Sequence, residues 1–225
     1  MIIRTAEIKP LEEEYQANGN RLVIYYGDEN CQKEQLLKYF MQDKKAFYYR
    51  ARPASEQQQR KMMGMQIEEQ YDAAIKKYTY EECFNRIKSG DASKLVVIID
   101  EFHHIAKKDD TFLEAIMKLK AKRLYPGPVL IILASSAFKW IEEEGRELLK
   151  ASLKKVYRIV RLRDMQFLEL VHALPEYSVS ECVETYGIIG GVPAYVNRWS
   201  SKKDLKYNVC KHILSPNGNL FREAE

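Results

Sequence analysis

Residues 95–101 have the sequence Leu95-Val96-Val97-Ile98-Ile99-Asp100-Glu101, a run of apolar residues that ends in two adjacent carboxylates. An unbroken run of branched apolar residues predicts a strand buried on both faces, as in a parallel sheet covered by helices. Ligands of open α/β sheets bind just beyond the carboxyl ends of the strands. We therefore expect the two acids at a binding edge, although acids also favour the N-terminus of a following helix.

A second strand, followed by a loop that begins with glycine, lies upstream. Residues 21–26 are Arg-Leu-Val-Ile-Tyr-Tyr, and the loop Gly27-Asp28-Glu29-Asn30-Cys31-Gln32-Lys33-Glu34 leads into a helical pattern. A phosphate-binding Walker A loop has the pattern G-x-x-x-x-G-K-[S/T] between a strand and a helix. Gly27 and Lys33 keep this spacing. Gln32 replaces the second glycine, and Glu34 replaces the hydroxyl residue that binds Mg²⁺.

Both departures weaken the expected phosphate site. A side chain at position 32 makes a left-handed backbone conformation cost about 1–2 kcal/mol. Asp28, Glu29 and Glu34 add negative charge to a loop that should attract anions. Each like-charge pair at contact distance costs about 1–4 kcal/mol. We therefore expect the loop to bind ATP poorly, and an ordinary solvated helix lysine is the alternative interpretation of Lys33.

Taken together, the motifs resemble those of the archaeal and bacterial STAND-class, AAA-like P-loop ATPases. In that family a strand ending in Asp-Glu-Phe follows the Walker A helix, and a later strand ends in a Gly-Ser-Ser turn. The corresponding segments here are Asp100-Glu101-Phe102 and Ala134-Ser135-Ser136, the latter after Val129–Leu133. Gly190-Gly191-Val192-Pro193-Ala194-Tyr195 is similar to the family's Gly-Gly-x-Pro-x-Tyr signature. The resemblance covers nearly the whole chain, except the altered loop and an N-terminus without a clear Arg-Glu-x-Glu-Leu element.

The fold implied by this resemblance is a P-loop NTPase three-layer α/β sandwich with a mostly parallel five-stranded sheet. We assign residues 1–162 to this core. The pattern turns helical from Asp164 onward, so residues 163–225 are expected to form a small all-helical lid domain. In the family this segment continues into a winged helix. Within the core, residues 53 to about 77 predict one long polar helix.

The resemblance also implies roles for the residues of the first two motifs. Lys33 would contact the β- and γ-phosphates, and Asp100 would hold Mg²⁺. Glu101 would act as the catalytic base that activates water. The implied cofactor is ATP or ADP with Mg²⁺, and the altered loop leaves open the alternative that this binding has been lost.

Residues of the later motifs have roles implied in the same way. Ser135 or Ser136 matches the position of a polar sensor of the γ-phosphate, and capping of the next helix is the alternative. Gly191 and Pro193 match the element that packs near the nucleotide. Pro193 also suits the first turn of a helix whether or not nucleotide binds.

Composition restricts the class of protein. The chain has 225 residues with 36 basic and 32 acidic side chains, and this mild net charge of +4 argues against a dedicated nucleic-acid binder. No apolar run reaches the roughly 20 residues that span a bilayer, and the N-terminus lacks a signal-peptide pattern. The four cysteines are widely spaced, which favours reduced thiols in the cytoplasm.

The adjacent His103 and His104 do not face one way on a helix, so a two-histidine metal site is not expected.

Three functional hypotheses follow. The first is a nucleotide-dependent switch, in which ATP or ADP sets the angle between core and lid. The second is a pseudo-ATPase that serves as a scaffold for an unknown protein partner. The third is a nucleic-acid-associated module, supported by the basic residues Lys150, Lys154, Lys155, Arg158, Arg161 and Arg163. Because Gln32 and Glu34 break the Walker A motif, we expect weak nucleotide binding without efficient hydrolysis, and enzyme activity is left open.

Overall fold

A computed structural model of the chain describes residues 4–88, 90–121, 127–145, 147, 149, 156 and 158–221. Its sheet contains five strands: β1 (Arg21–Tyr26), β2 (Ala46–Arg50), β3 (Leu95–Asp100), β4 (Val129–Ser135) and β5 (Arg158–Arg161). The strand order is β2-β3-β4-β1-β5, and every pairing is parallel. The predicted α/β fold with a parallel five-stranded sheet is therefore confirmed.

Helices cover both faces of this sheet. Among the described residues of this part of the chain, the helices with defined bounds are α1 (Thr5–Gln16), α2 (Lys33–Phe40), α3 (Glu56–Tyr71), α4 (Tyr80–Arg86), α5 (His103–Ala106), α6 (Asp110–Ala121) and α7 (Phe138–Trp140), the last continuing into a π turn (Ile141–Gly145). α1 packs against α2 and β1. Buried residues of α3 to α7 join Leu95, Val97 and Ile99 of β3 in one apolar cluster. Because side chains alternate along a strand, Asp100 faces the opposite side, where α2 lies.

The polar helix α3 is shorter than its sequence predicts. It begins with a capping box between Ser55 and Gln58, in which each side chain bonds the other's backbone N–H. It ends at Tyr71, because Asp72 adopts a left-handed conformation with φ of 47°. The expectation of a helix reaching about Lys77 is therefore wrong.

A second compact unit is formed by residues 29–32 together with the described residues from 163 onward. Its elements are a 3₁₀ turn (Glu29–Cys31), α8 (Phe167–Ala173), α9 (Val179–Ile189), α10 (Pro193–Val196) and α11 (Leu205–Val209), which continues into a π turn (Cys210–Leu214). The 3₁₀ turn packs against α10. The unit has its own apolar core of Met165, Leu170, Leu174, Tyr177, Cys182, Ile189, Val196, Trp199 and Leu220. Residues 4–28 and the described residues of 33–162 form the α/β unit.

One buried side chain organises the end of the helical unit. The amide nitrogen of Asn208 donates to the hydroxyl of Tyr177 at 2.8 Å and to the carbonyl of Ser200 at 3.0 Å. Its amide oxygen accepts the N–H of Ser200 at 3.0 Å. Asn208 therefore fixes the turn before α11 onto the rest of this unit.

Among the described residues, no helix combines the length and apolarity needed to cross a bilayer.

Substitutions at two isoleucines test which strands of the α/β unit lie in its core. Ile131 in β4 is fully buried, whereas Ile159 in β5 is 51% exposed. We expect Ile131→Ala to lower the free energy of unfolding by about 2–5 kcal/mol, because it leaves a cavity. Ile159→Ala should cost less than about 1 kcal/mol. Urea unfolding followed by circular dichroism measures both, and equal losses would contradict this description of the core.

Candidate functional site

Lys33, the first residue of α2, lies between the two acids that end β3. Its ammonium donates to a carboxylate oxygen of Asp100 and, at 2.8 Å, to Oε1 of Glu101. The Lys33 side chain is only 5% exposed. The structure thus brings together the three residues to which the sequence assigned phosphate, metal and base roles. Those roles themselves stay predictions.

The backbone at Glu101 explains how two consecutive acids reach one ammonium. Side chains alternate along a strand, so neighbouring carboxylates would normally point to opposite faces. Glu101 instead has a φ of 54°, in the left-handed region that costs a non-glycine residue about 1–2 kcal/mol. This turn at the end of β3 brings the carboxylate of Glu101 onto the same ammonium as Asp100.

The second oxygen of Glu101 is bound to the turn after β4. The backbone N–H and the hydroxyl of Ser136 donate to Oε2 of Glu101 at 2.9 and 2.8 Å. Burial raises the pKa of Glu101, but the charge and hydrogen bond of Lys33 and the two Ser136 donors outweigh it and hold the pKa below its usual value. Glu101 is therefore an ionised carboxylate with both oxygens engaged.

Asp100 has a further partner that sequence analysis missed. The hydroxyl of Tyr48 in β2 donates to Oδ2 of Asp100 at 2.8 Å, and the backbone N–H of Glu101 donates to Oδ1 at 3.0 Å. Burial and the nearby charge of Asp100 raise the pKa of Tyr48, so its hydroxyl keeps its proton. The predicted metal ligand thus has both oxygens occupied. The signal for Tyr48 appears only once β2 is known to lie beside β3.

Ser135 lies beneath this cluster, fully buried. Its hydroxyl is 2.9 Å from Nδ1 of His103 and accepts the backbone N–H of Ala137 at 3.1 Å. The same ring nitrogen lies 3.4 Å from Oε2 of Glu101. Burial lowers the pKa of His103 to about 4, so its ring is neutral at neutral pH. A serine–histidine–acid relay uses both ring nitrogens, and these contacts share one, so they do not form a hydrolase triad.

Glu34, which occupies the position of the Walker A hydroxyl, is held by two cations. Oε1 lies 2.6 Å from the ammonium of Lys38, and Oε2 lies 2.6 Å from the guanidinium of Arg50. The hydrogen bond to Lys38, opposed by partial burial, together with the charges of Lys38, Arg50 and Lys33, lowers the pKa of Glu34. The negative charge expected to repel phosphate is therefore paired within the fold.

The two glycine positions of the Walker A pattern behave differently. Gly27 follows β1 directly, and its N–H donates to the carbonyl of Ser135 at 3.2 Å. Gln32 has a φ of 61°, so the position of the missing glycine does require a left-handed conformation. The chain keeps the backbone conformation and carries its cost of about 1–2 kcal/mol.

Gly191 and Pro193 lie in the helical unit, where each has a structural function. A Cβ added at Gly191 would lie 1.8 Å from the carbonyl oxygen of Met165, so only glycine fits there. The backbone N–H of Met165 donates to the carbonyl of Gly191 at 2.7 Å. Pro193 is the first residue of α10 and is buried. That Gly191 and Pro193 pack near a bound nucleotide stays a prediction.

This combination of a parallel sheet, a lysine at the start of α2, the helix that follows β1, and acids at the end of β3 defines a P-loop ATPase fold. The chain belongs to the family of ATPase domains found predominantly in Archaea, whose model matches residues 2–198. P-loop NTPases in general bind nucleotide together with Mg²⁺.

The chain is also similar to individual proteins. Protein MJECL04 of Methanocaldococcus jannaschii is 22% identical over 195 residues, which are 87% of this chain and 43% of that protein. The chain thus spans less than half the length of this curated relative.

Solved structures of low sequence identity share the fold. The Walker-type ATPase PABY2304 of Pyrococcus abyssi has a TM-score of 0.60 at 16% identity, covering 93% of this chain and 71% of its own. The ORC1 protein of Aeropyrum pernix, solved in complex with DNA, has a TM-score of 0.56 at 12% identity, covering 100% and 62%. The STAND protein PH0952 of Pyrococcus horikoshii, with a tetratricopeptide repeat sensor, has a TM-score of 0.51 at 13% identity, covering 92% and 31%.

Removal of the Lys33 ammonium should destabilise the chain in a pH-dependent way. Lys33→Ala leaves two adjacent buried carboxylates without their cation, which costs about 3–5 kcal/mol near neutral pH. In the variant only the Ser136 donors oppose burial, so the pKa of Glu101 is higher than in the wild type and protonation relieves the repulsion as the pH falls. In the wild type the pKa of Glu101 is lowered, so its contribution is lost only at more acidic pH.

The stability difference between wild type and Lys33→Ala should therefore be largest at pH 7–8 and shrink towards pH 5. Urea unfolding at several pH values measures it. Lys61→Ala, which removes an exposed lysine of α3, is the control and should change stability by less than about 1 kcal/mol. A difference independent of pH would contradict the electrostatic account.

Proposed function

We propose that this chain is a nucleotide-binding domain that holds ATP or ADP at Lys33 and hydrolyses it slowly or not at all. The observation that carries this proposal is the contact of the Lys33 ammonium with both Asp100 and Glu101. An ammonium has three donors, and these contacts use two of them. In the proposed complex the third would donate to a phosphate oxygen. Lys33 would therefore hold a phosphate while the acids keep its position.

Slow hydrolysis is supported by the state of Glu101. A base that activates water needs an oxygen within hydrogen-bond reach of that water. Both oxygens of Glu101 already accept hydrogen bonds, one from Lys33 and the other from Ser136. Glu34 in place of a hydroxyl also removes a ligand of the metal that assists phosphoryl transfer.

A switch is the form of activity that this arrangement favours. A phosphate at Lys33 adds a third anion to an ammonium already shared by two carboxylates. It thereby weakens the bond from Lys33 to Glu101 and leaves the Ser136 turn as the stronger partner of that carboxylate. Ligand binding thus changes the balance of contacts between the ends of β3 and β4, as a ligand-driven shift between two states requires.

Nucleotide binding without turnover is tested on the intact chain. ATP or ADP at about 100 times its dissociation constant should stabilise the fold by roughly 2.7 kcal/mol. For a chain of this size the unfolding midpoint rises by about 5–10 °C. Lys33→Ala should abolish nucleotide binding, whereas Lys61→Ala should keep the shift of the wild type. Because Lys33→Ala is destabilised, its binding is measured by direct titration with a fluorescent nucleotide below the melting temperature of that variant. Absence of binding to the wild type at millimolar nucleotide would overturn the proposal.

Restoring the Walker A residues tests the cause of slow turnover. Gln32→Gly/Glu34→Ser recreates the pattern G-x-x-x-x-G-K-S, and should release phosphate from Mg-ATP at least tenfold faster than the wild type. Equal rates in a coupled phosphate assay would mean that the loop does not limit hydrolysis.

A second candidate function, contact with nucleic acid, has its own supporting observation in the helical unit. The ammoniums of Lys203 and Lys211 each lie 5.5 Å from the ring centre of the exposed Tyr207. Arg198, Lys202 and Lys206 are exposed in the same segment, and none of these cations has a carboxylate partner within the described residues. Aromatic rings among cations are a common surface for single-stranded nucleic acid.

The basic cluster on which the sequence hypothesis relied gives less support. Lys150, Lys154 and Lys155 lie outside the described residues. Arg158 pairs with Glu13 and Glu14, and Arg161 pairs with Glu142. The Tyr207 segment is therefore the better candidate surface, and it rests on a different set of lysines.

Binding of a fluorescent single-stranded oligonucleotide at several salt concentrations tests this second function. Lys203→Glu/Lys211→Glu should weaken binding and reduce the slope of log affinity against log salt by about 1.4, because each lost phosphate contact contributes roughly 0.7. Lys9→Glu/Lys61→Glu makes the same charge change at exposed lysines of α1 and α3 and should retain the wild-type slope. Equal weakening in the two variants would reject a defined surface.

A further inference from the structure

The described residues do not fit Mg²⁺ in the way that the fold family implies. Asp100 accepts hydrogen bonds on both oxygens, from Lys33 and Glu101 on one and from Tyr48 on the other. Glu34 has replaced the hydroxyl ligand, and its two oxygens contact Lys38 and Arg50. The positive charge that a polyphosphate needs must then come from side chains.

Arg50 is placed to supply that charge. It is the last residue of β2 and is paired in register with Asp100, so it lies at the same carboxyl edge of the sheet. Its side chain is 51% exposed and, in the part of the chain that the structure describes, makes one hydrogen bond, to Glu34 at 2.6 Å. A guanidinium has five donors in a planar fork that matches phosphate oxygens. Most of its donors therefore face solvent at this edge.

The pairing around Glu34 permits Arg50 to exchange partners at low cost. If Arg50 turns to a phosphate, Glu34 keeps its contact with Lys38, so no carboxylate is left without a cation. Exposed ion pairs contribute little to stability because water screens them, so little is lost when this one opens. The buried Lys33 differs, because its removal would leave Asp100 and Glu101 unpaired. Arg50 is thus the mobile cation of the site and Lys33 the fixed one.

We propose that this site binds the polyphosphate of a nucleotide without Mg²⁺, with the Arg50 guanidinium in place of the metal. The inference rests on the proposed nucleotide binding and adds to it the loss of the metal requirement and a phosphate ligand outside the Walker motifs. Arg50 comes from the strand next to β3.

The experiment compares ATP affinity in excess Mg²⁺ with ATP affinity in EDTA, using calorimetric titration of the full chain. The wild type should bind with dissociation constants that agree within about threefold in the two conditions. Arg50→Ala should weaken binding in EDTA at least tenfold. Arg52→Ala removes an exposed arginine two residues further on and should stay within twofold of the wild type. Circular dichroism and melting curves establish that both variants are folded.

Each outcome separates the inference from the function on which it rests. Binding that needs Mg²⁺ overturns metal independence and leaves the proposed nucleotide binding intact. Metal-independent binding that survives Arg50→Ala overturns the role of Arg50. Absence of ATP binding in both conditions overturns the proposed function and the inference with it. Glu34→Ser supplies a further readout, because restoring the hydroxyl should make affinity at least tenfold higher in Mg²⁺ than in EDTA.

Discussion

The buried Lys33 ammonium and the two carboxylates around it form the interaction on which the site depends. Taking three charged groups out of water is costly, and the cost is offset only when each group keeps its partners. One ammonium cannot neutralise two carboxylates, so the remaining negative charge is stabilised by donors from Tyr48, Ser136 and the backbone. These donors come from three different strands or strand ends. The charge cluster therefore fixes the relative positions of α2, β2, β3 and the turn after β4.

A second group of charges lies at the same edge of the sheet but, unlike the first, is exposed to solvent. Glu34, Arg50 and Lys38 are substantially exposed, and water screens their attraction. Opening a contact of the buried cluster costs more free energy than opening one of the exposed group, because a buried charge is left without its partner. The two sets of charges at this edge therefore differ in how readily they exchange partners.

The sequence predicted the elements of this site better than their contacts. The strand that ends in Asp100, the spacing of Gly27 and Lys33, and the need for a left-handed residue at position 32 all follow from local pattern. Tyr48 and Arg50 could not be found in this way, because their contacts depend on which strands are neighbours. The end of α3 was missed for a related reason, since the left-handed conformation of Asp72 is not encoded by a glycine or proline.

The helical unit is formed by two separate parts of the chain, which leave the ribosome at different times. Residues 29–32 and the segment from 163 onward pack together, and residues 33–162 are made between them. At typical rates of translation, those intervening residues take roughly 6–26 s to synthesise. During that interval the 3₁₀ turn has no α10 to pack against. The contact between the 3₁₀ turn and α10 can therefore form only after residues 33–162 have been synthesised.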